Sequence, residues 1–253
     1  MGKLTKQQDA YGQAMWDYLH HGRGFEIVER DDGLATISGG PVAYLAPPKD
    51  WSAQQRAAIC LARGRVLDIG CGAGRVALHL QEKGLDVLGI DTSPLAVKVA
   101  KLRGVRKARR MSITQITRKL GVFDTIVMYG NNFGLMGSFK RARWLLRRFR
   151  AMTGSDARII AESNDPYGPR RPGSERPRCH LDYHKWNRSR GRMGGQVRIR
   201  VRYMKHATPY FDYLLVSKDE MREIVAGTGW EISRFFDSGG SAYVAVLGKE
   251  RSS

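Results

Sequence analysis

The sequence predicts an α/β protein in which a mainly parallel β-sheet carries helices on both faces. A short apolar run bounded by glycine, residues 66–69, is typical of a buried parallel strand. A glycine-rich turn and a helix-like segment follow, and a second apolar run, residues 87–90, ends in Asp91. Apolar runs over 123–129 and 157–162 extend the same sheet. The 253 residues are enough for one such domain with insertions.

The turn after the first strand has the pattern D-x-G-x-G-x-G over residues 68–74. Glycine lets the backbone turn tightly and approach a ligand, and the following helix N-terminus offers free N–H groups. Asp91, at the tip of the second strand, can accept hydrogen bonds from both hydroxyls of a ribose. The dinucleotide pattern G-x-G-x-x-G does not fit, because Arg75 occupies the third glycine position, and no G-x-x-x-x-G-K-[ST] phosphate loop is present.

This strand, glycine turn, helix, strand and acid resemble the first two motifs of the class I S-adenosylmethionine (SAM) dependent methyltransferases. The resemblance covers roughly residues 52–162 and 217–248, and it includes the Phe123–Asp124 opening of the fourth strand. It implies a Rossmann-like seven-stranded sheet with an N-terminal cap and a β-hairpin inserted before the last helix. It also implies a transferase that uses SAM and releases S-adenosylhomocysteine.

The resemblance also assigns a site for the methyl donor. The glycines would pass close to its methionine part, Asp68 would hold the amino group, and Asp91 would bind the ribose with Thr92 near the adenine. Ser112 aligns where the family usually has an acid that meets the adenine amino group. The residues implied to bind SAM are Asp68, Gly70, Cys71, Gly72, Gly74, Asp91, Thr92, Ser112, Tyr129, Gly130 and Asn131.

The chain is expected to divide into four segments: a cap over 1–50, a SAM-binding core over 51–162, an insertion over 163–216, and a final helix with closing strands over 217–253. In the cap, Tyr11, Met15 and Tyr18 share one face of a predicted helix. These aromatic residues either cover the active site as a lid or pack the cap onto the core. The predicted contacts to the acceptor are Tyr11, Trp16, Tyr18 and Asn132. Asn131 and Asn132 have the alternative of a turn, since asparagine tolerates left-handed backbone.

Residues 163–194 are rich in Pro, Gly and Arg and predict a long irregular segment of functional importance. If the acceptor needs a base, the candidates here are His180, Asp182, Tyr183 and His184. The alternative is that they are loop residues at the surface. His180 and His184 have the spacing to share a helix face, but no further ligand is suitably placed, so no metal is predicted.

Two arginine-rich segments stand out. Residues 197–203 alternate apolar and arginine side chains and predict one strand of a hairpin with 210–216. This hairpin would shape the acceptor pocket or a homodimer contact, and its arginines would either be solvated or follow a phosphate backbone. Residues 140–150 predict a helix with Trp144, Leu145 and Phe149 inside and a solvated basic face.

The formal charge of +19 is compatible with nucleic acid, an anionic membrane surface or an acidic small substrate. No run approaches ~20 apolar residues, so no membrane span is expected. The three cysteines, Cys60, Cys71 and Cys179, predict free thiols in a cytoplasmic protein, with Cys71 as a small filler of the glycine turn. The favoured function is methyl transfer to the O or N nucleophile of a small molecule; the alternative is an RNA methyltransferase.

Overall fold

Two β-sheets and eight α-helices form the part of the chain that the computed structural model describes, residues 4–169 and 177–250. The strands are β1 (Ile27–Arg30), β2 (Ala35–Ile37), β3 (Arg65–Ile69), β4 (Asp86–Asp91), β5 (Ala108–Arg110), β6 (Phe123–Met128), β7 (Thr153–Asn164), β8 (Gln196–Tyr203), β9 (His206–Ala207), β10 (Phe211–Leu214), β11 (Trp230–Asp237) and β12 (Ala242–Lys249). The helices are α1 (Ala10–His21), α2 (Gly40–Leu45), α3 (Ala53–Ile59), α4 (Arg75–Glu82), α5 (Pro94–Leu102), α6 (Phe139–Ala151), α7 (Arg178–Ser189) and α8 (Lys218–Val225).

The larger sheet has seven strands in the order β11-β12-β7-β6-β3-β4-β5. The pairs β3/β4, β4/β5 and β6/β7 are parallel, whereas β12 runs antiparallel to both β7 and β11. Strands such as β6 are apolar along their length because both faces of a parallel sheet are covered, and Ile126, Val127 and Met128 are fully buried. This confirms the predicted α/β fold with its seven-stranded sheet.

The smaller sheet combines two segments that lie far apart in the sequence. Its order is β10-β8-β1-β2, with β9 paired to β8. The hairpin β1/β2 turns through residues 31–33, and β8 then pairs antiparallel with β1. The predicted alternation along β8 is confirmed, since Val197, Ile199, Val201 and Tyr203 are all buried. A lone hairpin is marginally stable, so β8 supplies the partner that β1 needs.

The chain forms two compact units. The first comprises Met1–Trp51, Gly64–Ile116 and Arg198–Phe211. The second comprises Ser52–Arg63, Thr117–Val197 and Asp212–Ser253. The four segments expected from the sequence, 1–50, 51–162, 163–216 and 217–253, stay a prediction. No helix of the described ranges is long and apolar enough to cross a membrane.

The prediction of an irregular segment over 163–194 is wrong in its second half, where α7 forms. Tyr183, His184 and Asn187 are buried along α7, at the spacing of one helical face. Only these three positions carry the helical signal, and the Pro- and Gly-rich residues around them obscure it. Residues 170–176 of this segment lie outside the described ranges, as do 1–3 and 251–253.

The apolar face predicted for the helix over 140–150 is also misassigned in part. Trp144 of α6 is 44% exposed, since it lies one position, and so about 100°, from the buried Leu145. Its ring lies 5.0 Å from the guanidinium carbon of Arg148 at the helix surface. The last helix, α8, begins at a capping box formed by Ser217 and Glu220.

Candidate functional site

The glycine turn of the first unit connects β3 to α4. Gly70, Gly72 and Gly74 all have positive φ values, of 72°, 52° and 80°. At Gly74 a Cβ atom would also lie 2.5 Å from the side chain of Val105, so both conformation and packing require glycine. The backbone N–H groups of Gly70 and Cys71 donate to the Ile90 carbonyl at 2.8 and 3.0 Å, which ties the turn to the end of β4.

Asp91 closes this turn from the tip of β4. Its Oδ2 accepts a hydrogen bond from the Gly72 N–H at 3.0 Å, and its Oδ1 accepts one from the Ser93 N–H at 2.9 Å. Burial raises the pKa of the Asp91 carboxyl group against the effect of these donors. A carboxylate has about four lone-pair sites, so each oxygen can still accept a hydroxyl. The acid is therefore rigidly placed and retains the capacity to bind both hydroxyls of a ribose.

Asp68 lies on β3, two residues before the first glycine, and is only 2% exposed. Burial raises its pKa to about 7, although the charge of Arg75 and a hydrogen bond from the Ala77 N–H act in the opposite direction. Its Oδ2 is buried and receives no hydrogen bond from the described residues. A buried acceptor without a donor is costly, and an amino group is a fitting donor for it. The residues of this turn thus fit the amino-acid part of SAM.

The cap helix α1 is fixed to the start of α5 through Asp9. Asp9 is 1% exposed, and its two oxygens accept hydrogen bonds from the backbone N–H groups of Gly12 and Leu95, each at 3.1 Å. One carboxylate therefore caps α1 and satisfies the first turn of α5. A Cβ atom at Gly12 would lie 2.3 Å from the Ser93 hydroxyl oxygen, so the close approach of the two helices needs glycine there.

Further along α1, Met15 packs on the glycine turn itself. Met15 forms a buried cluster with Ala73, Ala96 and Val99. A Cβ atom built on Gly72 would have the Met15 sulfur as its nearest neighbour, at 3.6 Å. The cap helix thus packs against the glycine turn within this unit.

The aromatic residues predicted to contact the acceptor all have packing contacts. Tyr11 packs against the Met15 cluster, with its ring 6.3 Å from that of Tyr44. The Trp16 ring stacks on His20 at 4.2 Å, and the Lys98 Nζ lies 4.3 Å from its centre. The side chain of Tyr18, two residues further on, is half-buried. These contacts attach the cap, and contact of Tyr11, Trp16 and Tyr18 with an acceptor stays a prediction.

Ser112 and Thr92, the residues assigned to the adenine, lie near the end of β5 and of β4. The Ser112 N–H donates to the Gln115 side-chain oxygen at 2.8 Å, and its hydroxyl lies 3.1 Å from that of Thr114. Ser112 is thus the first residue of a tight turn, and β5 ends two residues before it. The Thr92 carbonyl accepts a hydrogen bond from Arg110 at 3.2 Å. Adenine contacts by Ser112 and Thr92 stay predictions.

Tyr129, Gly130, Asn131 and Asn132 follow β6 in the second unit. The Tyr129 hydroxyl donates to the Gln55 carbonyl at 2.8 Å. Asn131 has a φ of 61°, and its carbonyl accepts hydrogen bonds from the Tyr213 hydroxyl at 2.5 Å and the Gly134 N–H at 2.8 Å. This is the turn that asparagine was expected to permit. Asn132 begins a short 3₁₀ helix. Roles of these residues at the donor and of Asn132 at the acceptor stay predictions.

Glu162 was not identified from the sequence, although its location is well defined. It lies near the end of β7, and its Oε2 accepts hydrogen bonds from the Gly130 N–H at 2.6 Å and the Gln55 side-chain amide at 2.8 Å. A polar residue at the end of an apolar parallel strand is the one local signal that pointed to it.

The four candidate bases lie on α7. His184 is buried and meets the Tyr167 ring edge to face at 5.4 Å. Asp182 is exposed, with an oxygen 3.9 Å from Arg178. Tyr183 is buried, and His180 lies one turn before His184. Their catalytic roles stay predictions. Within the described ranges, no group of three or more His, Cys, Asp or Glu side chains could hold a metal ion.

Four arginines of the two basic segments have local partners. On β8, Arg200 and Arg202 bind the two oxygens of Glu29 at 2.7 and 3.3 Å. The prediction of a solvated basic face on α6 is wrong for two residues. Arg143 donates to the carbonyls of Glu223, Ile224 and Ala226 at the end of α8, and Arg141 donates to those of Leu135 and Met136. These arginines satisfy exposed carbonyl groups at helix ends.

The glycine turn and the acid at the end of β4 have the chemistry of a nucleoside-binding site in an α/β protein. A family model described as a methyltransferase domain matches residues 66–154. A SAM-dependent methyltransferase from Bacteroides fragilis, solved in complex with S-adenosylhomocysteine, is 25% identical with a TM-score of 0.79, and the match covers 98% of each chain. Residues 66–154 thus match a methyltransferase domain, and the chain as a whole has the fold of class I SAM-dependent methyltransferases.

Curated relatives match over shorter stretches. The chain is 36% identical over 83 residues to the ubiquinone biosynthesis O-methyltransferase of Dechloromonas aromatica, which is 30% of this chain and 34% of that protein. It is 34% identical over 71 residues to the 2-heptyl-1-hydroxyquinolin-4(1H)-one methyltransferase of Mycobacteroides abscessus, or 28% of this chain and 30% of that protein. The chain thus aligns with about a third of the length of each relative.

Proposed function

We propose that the protein transfers the methyl group of SAM to an oxygen or nitrogen nucleophile of a small molecule. The donor site of the first unit is the observation that carries this proposal. Asp91 is held by the Gly72 and Ser93 N–H groups, and Asp68 presents a buried acceptor without a donor. These two acids and three glycines have the chemistry required to bind the ribose and the amino-acid part of SAM.

SAM supplies a methyl group that is already activated by its positive sulfur. The protein has to orient the donor and exclude water, and such positioning can contribute ~7–11 kcal/mol to lowering the barrier. Asp91 fixes the ribose, Asp68 accepts from the amino group, and the glycine turn allows the backbone to approach the donor. Met15 of α1 covers the turn and keeps water from it.

A small acceptor is supported by the cap. Asp9 fixes α1 across the start of α5, and aromatic side chains such as Tyr11 and Tyr44 lie beside the covered turn. An aromatic cap of this kind suits a small organic molecule. The two curated relatives are named for ubiquinone biosynthesis and a hydroxyquinolone, and both names point to small aromatic acceptors.

The RNA alternative is weakened by the basic segments. Arg200 and Arg202 bind Glu29, and Arg141 and Arg143 bind backbone carbonyls. Arginines engaged in this way are poorly placed to follow a phosphate backbone, whose binding depends on freely available positive charge. The cytoplasmic location and the homodimer remain proposals; the free state of Cys60, Cys71 and Cys179 supports the former.

The test combines calorimetry with a turnover assay. We expect the purified protein to bind SAM, and to release S-adenosylhomocysteine when incubated with SAM and a panel of phenols, amines and quinolones. Addition of total RNA at low salt should leave the rate unchanged. RNA-dependent release with no response to small acceptors would favour the alternative, and an absence of SAM binding would contradict the proposal as a whole.

A further inference from the structure

Glu162 is a buried carboxylate that has no cationic partner among the described residues. The residue is 8% exposed. Within residues 4–169 and 177–250 it forms no ion pair, and its Oε1 receives no hydrogen bond. Charged side chains are seldom buried without a partner, because removing a charge from water is costly. This departure from the rule needs an explanation.

Both hydrogen bonds to Glu162 come from neutral groups and reach the same oxygen. The Gly130 N–H and the Gln55 amide donate to Oε2 at 2.6 and 2.8 Å. The Gln55 amide cannot turn away, because its own oxygen accepts from the Ser52 N–H at 3.2 Å in the capping box of α3. The carboxylate is therefore held in one orientation, in which Oε1 has no donor.

Asn131 presents a second acceptor one residue after Gly130. Its side-chain oxygen is buried and receives no hydrogen bond from the described part of the chain. The backbone of Asn131 is fixed by the Tyr213 hydroxyl and the Gly134 N–H, both of which bind its carbonyl. An unsatisfied buried acceptor costs about 1–3 kcal/mol, so the Asn131 side-chain oxygen is unfavourable unless a ligand supplies a donor.

We propose that Glu162 and Asn131 bind the methyl acceptor through its N–H or O–H groups, so that the acceptor is an amine or a hydroxyl compound and not a carboxylic acid. This inference rests on the proposed function and names the class of its acceptor. The ends of parallel strands β6 and β7, where Gly130 and Glu162 lie, are the edge at which α/β sheets bind ligands. A carboxylate would be repelled by Glu162, whereas an ammonium or hydroxyl group would satisfy it.

Glu162 also has a role in the proton balance of the reaction. The lone pair of the acceptor nitrogen or oxygen forms the new bond to the methyl carbon, and the carbon–sulfur bond breaks with its electrons going to sulfur. The acceptor then has to lose its N–H or O–H proton. Glu162 Oε1 takes this proton, since a carboxylate that is already hydrogen-bonded to the nucleophile is well placed to act as general base.

The experiment compares Glu162→Gln and Asn131→Gly with the wild type. Glutamine keeps the size of the side chain and an oxygen for the Gly130 N–H, and glycine keeps the left-handed backbone of position 131. Glu231→Gln, an exposed acid of β11 in the same unit, is the matched control. The probes are catechol, tyramine and octylamine, with benzoate and octanoate as anionic counterparts, each titrated in the presence of S-adenosylhomocysteine and assayed for turnover with SAM.

We expect wild-type protein to bind and methylate at least one catechol or amine probe and to bind neither carboxylate. Glu162→Gln should lower kcat/KM at least 100-fold while changing the Kd for SAM less than twofold. Asn131→Gly should raise KM about tenfold with a smaller change in kcat. Glu162→Asp should recover part of the activity, which a purely structural role would not predict, and Glu231→Gln should match the wild type.

The inference is overturned if Glu162→Gln stays within threefold of wild type, or if the carboxylates bind as well as the donors. It is also overturned if wild-type protein binds SAM but none of the donor probes at millimolar concentration. Failure to bind SAM at all would contradict the proposed function instead. Melting curves of each variant report whether it folds, and if Glu162→Gln does not fold, Asn131→Gly and Glu162→Asp decide the question.

Discussion

The first unit contains acidic side chains whose pKa values are shifted in opposite directions. Glu29 on β1 accepts from Arg200, Tyr210 and Arg202, and these partners, Arg200 first, lower its pKa to about 2. Asp68 and Asp91 meet mainly backbone N–H groups, and burial raises the pKa of both. Glu29 is thus stabilised by its surroundings as a charged group, whereas burial disfavours the charged forms of the two aspartates.

The opposite pKa shifts distinguish an acid that stabilises the fold, Glu29, from two acids that are available to bind a ligand, Asp68 and Asp91. A side chain whose hydrogen-bonding capacity is filled by the protein contributes to folding and has little left for a substrate. Perturbed groups with remaining capacity are concentrated at functional sites. The following variants test whether this division holds, in order of the expected effect.

Asp91→Asn should have the largest effect, on donor binding. The substitution removes the charge that strengthens hydrogen bonds to the ribose hydroxyls, and such bonds contribute about 1.5–3 kcal/mol each. We expect the Kd for SAM to rise at least 100-fold, as measured by calorimetry. Asp86→Asn is the control, since Asp86 lies at the other end of β4 and pairs with Lys107 at 2.5 Å. If the Kd for SAM changes less than threefold in Asp91→Asn, Asp91 does not bind the donor.

Asp68→Asn should affect both stability and binding. Because its folded pKa of about 7 lies above the usual value of 3.8, the folded state holds an extra proton between these pH values, and the free energy of unfolding falls as pH rises through this window. The slope from this one group is at most about 1.4 kcal/mol per pH unit. Denaturant titrations between pH 4 and 7 should show a smaller decline in the variant than in the wild type. SAM affinity should fall about tenfold.

A decline of the same steepness in both proteins would show that Asp68 titrates at an ordinary pH. Its buried oxygen would then need an explanation other than a ligand amino group.

Glu29→Gln should have the smallest effect and should spare the donor site. The lowered pKa means that its stabilisation is complete above about pH 4.5 and is lost as pH falls toward 2. Loss of a partly exposed ion pair costs about 1 kcal/mol at neutral pH. The free energy of unfolding should fall by that amount, with no change in the Kd for SAM. Weaker SAM binding in this variant would contradict the distinction between acids that stabilise the fold and acids that bind a ligand.

The donor turn was accessible from the sequence because its signal is local. The spacing of Gly70, Gly72 and Gly74 and the acid at position 91 fall within one strand–turn–helix–strand unit, and each strand of that unit was found within two residues. Helix α7 was missed because its buried face shows in only three positions among Pro- and Gly-rich residues. The glycine turn could be predicted and α7 could not, because only the turn shows its pattern in several neighbouring residues.

Glu162 and the pairing of β1 with β8 were not predictable for the opposite reason. The donors to Glu162 lie 32 and 107 positions away along the chain, at Gly130 and Gln55. Glu29 and Arg200, which join the two strands, are 171 positions apart. A single sequence shows a polar residue at a strand end or an alternating run, but it does not show which distant groups will meet it.

The pairing of β1 with β8 makes a strand of the cap depend on a strand of the later insertion, although the two lie far apart in the sequence. A recombinant fragment that starts at the helix before β3 would deprive β8 of this partner and leave one of its edges open to other chains, a common cause of aggregation. The same dependence constrains evolution, because neither segment can be lost, or exchanged with a related enzyme, without the other. Swaps meant to change acceptor preference should therefore transfer both segments together.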